Sequence, residues 1–148
     1  MSLDPNIGKQ TTFYEPPDII FLKLRGHCTW DEGAEINRRH REWGRDLARV
    51  FFLIDLSELD RIDPEVRKDA TTTLAMLPLR GMVGYNAPIK AKVIAKLIFT
   101  ALNLFSNKAD KVPLHFTDTE EAARSWIEDR RRELDAGQET VEGAAHGR

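Results

Sequence analysis

The chain has a single cysteine, Cys28, and that scarcity excludes an internal disulfide and any CxxC metal or redox site. A lone cysteine of this kind reads as a small core hydrophobe. Long apolar runs are missing too. The uncharged stretch Leu97 to Asn107 falls far short of the roughly 20 residues a membrane-spanning helix needs. Positive charge is not in excess: 22 basic against 24 acidic residues leave a net charge of −2, which argues against general nucleic-acid binding. His27, His40, His115 and His146 show neither HxxxH nor HExxH spacing, so no metal site is expected. Gly81 and Gly84 fall inside a predicted strand rather than a strand-to-helix turn, so no phosphate cradle and no cofactor are implied. Residues 1–12 contain no apolar segment of the signal-peptide type, and a cytoplasmic location is expected.

What is present points to one α/β domain. A chain of 148 residues supports one substantial core. Val50, Phe51, Phe52, Leu53 and Ile54 form an uninterrupted apolar run, the pattern of a strand covered on both faces. Shorter strands are predicted over Thr11–Glu15, Asp18–Gly26, Leu79–Tyr85 and Val112–Phe116. Thr29-Trp30-Asp31-Glu32 is a capping box that opens a helix to about Ala48, with Ile36, His40, Trp43 and Leu47 on one stripe. Asp63-Pro64 opens a second helix that ends before Pro78: Asp63 can cap it, and Pro64 has no N–H to lose at the first position. Asn86-Ala87-Pro88 precedes a long helix to about Phe105. Thr117 or Asp118 caps the last one, with Ala122, Ala123, Trp126 and Ile127 inward and Arg130–Arg132 outside. The predicted architecture is a mixed five-stranded sheet with four helices over residues 11–134. It is flanked by a flexible N-terminus, 1–10, and a polar, aperiodic tail, 135–148, expected to be disordered.

The least ordinary element is the long helix. At 100° per residue, Lys92, Lys96, Thr100, Asn103 and Asn107 form one narrow polar stripe, and the remaining arc is apolar. Ile94, Ile98, Ala101 and Phe105 are expected to face the sheet. The flanks, Val93, Leu97 and Leu104 on one side and Phe99 and Leu102 on the other, then need further cover. Neighbouring helices, a protein partner or second copy, and a lipid surface are the three candidates. Lys90, Lys92 and Lys96 beside the apolar flank would suit an anionic lipid surface.

The segment IDLSELDRIDPEV carries a resemblance. A strand ending in Asp55-Leu56-Ser57, followed a few residues later by an Asp at a helix start, resembles the STAS domains of anti-sigma-factor antagonists and sulfate-transporter tails. In that family the second Asp precedes a phosphorylatable serine; here Asp63 is followed by Pro64. The kinase-operated switch is therefore not implied. The second half, from LRGMVGYNAPIK onward, looks closer to a mostly uncharacterised bacterial STAS-like branch related to the CRAL-TRIO fold. The resemblance spans roughly Thr11 to Arg132. It implies a non-catalytic regulatory or protein-interaction module, expected to be a homodimer. The alternative is a binder of a lipid or small hydrophobic ligand at a membrane surface. The motif loop is Asp55, Ser57, Asp63 and Pro64. The candidate interface is Val93, Leu97, Phe99, Leu102 and Leu104 with Lys92 and Lys96. The carboxylates Asp55, Glu58, Asp60, Asp63 and Glu65 around one loop could in principle supply an acid and a base, but capping and solvation explain them.

Overall fold

A computed structural model of the chain describes residues 3–105 and 111–146, with side chains for 3–104 and 111–137. Its strands are β1 (Asn6–Ile7), β2 (Gln10–Glu15), β3 (Ile19–Cys28), β4 (Val50–Ile62), β5 (Leu79–Tyr85) and β6 (Leu114–Thr117). They form one sheet in chain order. The first three run antiparallel and β3 to β6 run parallel. Helices α1 (Trp30–Gly44), α2 (Pro64–Met76) and α3 (Ile89–Phe105) link successive parallel strands, and α4 (Glu120–His146) follows β6. The fold class is α/β with four helices, as the pattern predicts, but the mixed sheet has six strands rather than five.

Period-two alternation sorts the strand residues onto two cores. Ile20, Leu22, Leu24, Phe52 and Ile54 pack with residues of α1, α2 and α3 on one face. Ile19, Phe51, Leu53, Val83 and Tyr85 pack with Ala123 and Ile127 of α4 on the other. Burial on both faces explains the continuous apolar run of β4.

The extra strand comes from the segment expected to be flexible. Asn6 and Ile7 pair with Thr11 and Gln10 across a turn in which Gly8 takes φ +59. Ile7 is buried and Gln10 wholly so. The Gln10 side chain accepts from the Arg25 backbone N–H (2.6 Å) and donates to the Arg25 carbonyl (3.1 Å), tying the N-terminus to β3. An amide side chain standing in for a ladder partner leaves no hydrophobic signature, which is why the pattern missed it.

Several boundaries move. α1 has both capping-box bonds through Thr29 and Glu32, as its sequence predicts, but stops at Gly44. On its stripe Ile36 and His40 are buried, while Trp43 and Leu47 pack half-buried against the core. The cap of α4 is Thr119, whose hydroxyl accepts from the Ala122 N–H (3.1 Å), rather than Thr117 or Asp118. Ala122 is exposed. Arg131 turns inward to Asp18, a buried carboxylate that Arg49 also reaches at 3.0 Å. α4 then continues to His146, through most of the segment read as a disordered tail. Ala, Glu and Gln favour helix there, although no apolar period announces it.

Candidate functional site

The motif segment is not a loop. β4 continues through Asp55 and Ser57 to Ile62, paired with β3 up to Cys28↔Ile62. Register shifts between Lys23 and Arg25 and between Gly26 and His27 mark two bulges. The first explains why Leu56 and Leu59, three apart, are both buried in the same core. The polar Asp55, Ser57, Glu58 and Asp60 around these leucines hid the strand from a reading by alternation.

Asp55 Oδ1 accepts from the Ser57 N–H (3.0 Å) and the Ser57 hydroxyl (2.7 Å), and Lys23 Nζ lies 3.4 Å from Oδ2. Burial raises the Asp55 pKa, but the Ser57 hydrogen bonds and Lys23 outweigh it and hold the carboxyl below its usual range. A carboxylate so stabilised is a poor proton acceptor for Ser57. Glu58 pairs with the same lysine at 3.0 Å and with Arg25 at 3.7 Å.

Asp63 is the N-cap residue of α2, yet its side chain makes no cap hydrogen bond. It is drawn instead to His27, 2.5 Å from Nε2, and that hydrogen bond holds the Asp63 carboxyl below its ordinary pKa. The expected capping role is thus replaced by a cross-strand pair between the ends of β3 and β4. Arg61 lies 3.3 Å from the other nitrogen of His27. Pro64 occupies the first turn of α2 as expected. The neighbouring thiol, Cys28, is buried, and burial pushes its pKa up to about 12. It is thus a protonated packing group with little thiolate to offer as a nucleophile. Among the described residues no group of three His, Cys, Asp or Glu side chains could hold a metal ion.

The α3 residues divide in a way their pattern only half predicts. Phe99 and Leu102 are buried, as is Ala91, while Ile94, Ala95 and Ile98 are half-buried. Counting 100° per residue, the buried meridian through Ala91, Phe99 and Leu102 lies about 85° from the one expected through Ile94, Ile98 and Ala101. The polar stripe explains the rotation. Asn103 bonds the Val112 N–H and carbonyl, both at 3.3 Å. The ammonium groups of Lys92 and Lys96 sit over the Phe116 ring of β6 at 5.7 and 5.9 Å. The stripe is therefore turned toward the sheet edge. Phe105's side chain and Asn107 lie outside the described residues.

That rotation puts the other flank on the outward side of the helix. Ile89 (82% exposed), Val93 (51%), Leu97 (52%) and Leu104 (71%) fall within about 80° of one another, opposite the buried meridian. Met76, at the end of α2, is exposed as well. Phe99 and Leu102 drop out of the candidate interface, because the chain itself covers them. The sequence reading did not single out Ile89, which precedes the lysines, or Met76, which belongs to another element. The first was legible on the helical wheel; the second was not.

Neither a family model nor a curated protein matches the chain. A solved structure does: an uncharacterized protein from the DUF3478 family with a SpoIIAA-like fold, from Shewanella loihica PV-4. The two are 14% identical and superpose with a TM-score of 0.56, over 84% of this chain and 98% of that one. The alternation of strands and helices around a largely parallel sheet is thus that of a SpoIIAA-like fold.

Proposed function

We propose that this chain is a non-catalytic STAS-like binding module that docks on an anionic membrane surface through the outward face of α3. The observation that carries the reading is the row Ile89, Val93, Leu97 and Leu104 on the side of α3 that points away from the core. Large apolar side chains gathered on one exposed face favour an interaction surface over ordinary solvated helix. Among the described residues no helix is long and apolar enough to cross a membrane. The face suits docking on a surface, not spanning one.

Charge separates the two occupants such a face could take. From Ile89 to Phe105 the helix carries Lys90, Lys92 and Lys96 and no acidic residue, on a chain whose net charge is −2. Lys90 is answered by Asp60 at 2.6 Å, whereas Lys92 and Lys96 make no ion pair among the described residues. Near an anionic leaflet each lysine without an ion pair contributes on the order of 1 kcal/mol. A second copy on the same face is the other reading, and the apolar row supports it. It would, however, bring these lysines toward their own counterparts.

Flotation with anionic vesicles and sedimentation of the same sample test the proposal. The parent is expected to float, less so as salt rises, and to sediment as a monomer. Leu97→Glu and Leu104→Glu are expected to stay folded and lose flotation. A dimeric parent converted to monomers by either substitution would replace the membrane by a second copy.

A further inference from the structure

Beside the exposed row, α2 and α3 enclose an open groove of about 650 Å³. Ala75, Met76, Leu97 and Ala101 make its apolar wall, and Arg67 and Lys68 line it from the first turns of α2. At 1.5 Å per residue, Arg67 and Met76 stand about 13 Å apart along the helix. The polar end is incomplete. Arg67 Nε is buried without a hydrogen-bond partner, and neither Arg67 nor Lys68 has an ion pair among the described residues.

Nε is enclosed by the fold, but the Arg67 guanidinium and the Lys68 ammonium line the groove with no carboxylate among the described residues to answer them, and such unanswered positive charge favours an anionic head there. The planar fork of arginine matches a carboxylate in particular. Beyond that end the groove offers chiefly apolar surface, in a volume typical of small-molecule sites. We infer that the α2–α3 groove binds a free long-chain carboxylate, its head on Arg67 and Lys68 and its alkyl chain along Leu97, Ala101 and Met76. This inference does not depend on membrane docking. It uses a monomeric ligand in water and a cation that the docking face does not require.

Titration calorimetry with octanoate, decanoate and dodecanoate, each below its micellar concentration, reads the site directly. Each two-carbon extension is expected to tighten binding about fifteenfold while the chain lies in the groove. Arg67→Gln is expected to weaken dodecanoate about ten- to hundredfold with an unchanged circular dichroism spectrum. Dodecanol, which has no anionic head, should be indifferent to that change. Arg67→Lys keeps the charge but loses the planar fork and should also bind more weakly than the parent. Met76→Glu, at the tail end, is expected to weaken dodecanoate more than octanoate. Absence of binding by the parent, or equal binding by parent and Arg67→Gln, overturns the inference. Vesicle flotation without binding of any monomeric carboxylate would overturn it too, while leaving the docking proposal standing.

Discussion

Acidification to pH 5 is expected to weaken the fold through one buried histidine. His40 of α1 is 3% exposed, its ring edge-on to Phe52 at 5.1 Å. Its Nε2 lies 2.9 Å from the Thr12 hydroxyl, and that hydroxyl already spends its proton on the Phe21 carbonyl at 2.7 Å. His40 Nε2 must therefore donate, which fixes the neutral tautomer. Burial, with the like charge of Arg41 added, pushes the His40 pKa from 6.5 down to about 3. The unfolded chain takes up a proton near pH 6.5, whereas the folded chain does so only near 3. Between those values the unfolded state binds more protons, so stability is complete above pH 6.5 and declines by about 1.4 kcal/mol per unit below it. Moving from pH 7.5 to pH 5 should thus cost about 2 kcal/mol. Urea denaturation at the two pH values measures this loss. His40→Gln, which retains a donor but cannot ionise, should remove most of it. An unchanged pH dependence in His40→Gln, or an NMR titration placing native His40 near 6.5, would refute the reasoning.

Two further outcomes follow from the packing. Asp18→Ala removes the buried carboxylate shared by Arg49 and Arg131, which keep only the exposed Asp135 and Glu128, and should destabilise the protein by about 1–3 kcal/mol in urea. Leu102→Glu buries an unpaired carboxylate at a position 1% exposed and should abolish the folded circular dichroism signal, two residues from Leu104, where the same change is expected to be tolerated.

How legible this molecule was depended on which residues carried each element. The clearest local signals survived: β5 is Leu79–Tyr85, as predicted, and α1 begins at its capping box. Elements held by polar groups did not show. β1 depends on the Gln10 amide, and the second half of β4 depends on bulges that shift Leu56 and Leu59 out of simple alternation. Asp63 had the residue type of a cap, but His27 lies 36 positions away, and no local pattern reports a partner at that distance. The surplus of apolar residues on α3 was visible in the sequence. Which flank stayed exposed was not, because Asn103, Lys92 and Lys96 decide it through contacts with Val112 and Phe116. Arg67 shows the same limit: only packing reveals a cation left without an answer.

If the proposal holds, the outward face of α3 meets lipid. The most direct measurement is a nitroxide label at Leu104→Cys. Cys28 stays silent in such labelling, since it is 2% exposed and its thiol pKa lies near 12. Arg132→Cys, on α4 across the sheet, serves as the reference, because the Arg132 side chain is 72% exposed. On adding anionic vesicles, the label at Leu104 should become accessible to oxygen and shielded from a water-soluble nickel complex, while the label at Arg132 remains in water. If the Leu104 label stays as exposed to nickel with vesicles as without them, or is already shielded before any vesicles are added, the face does not dock on lipid.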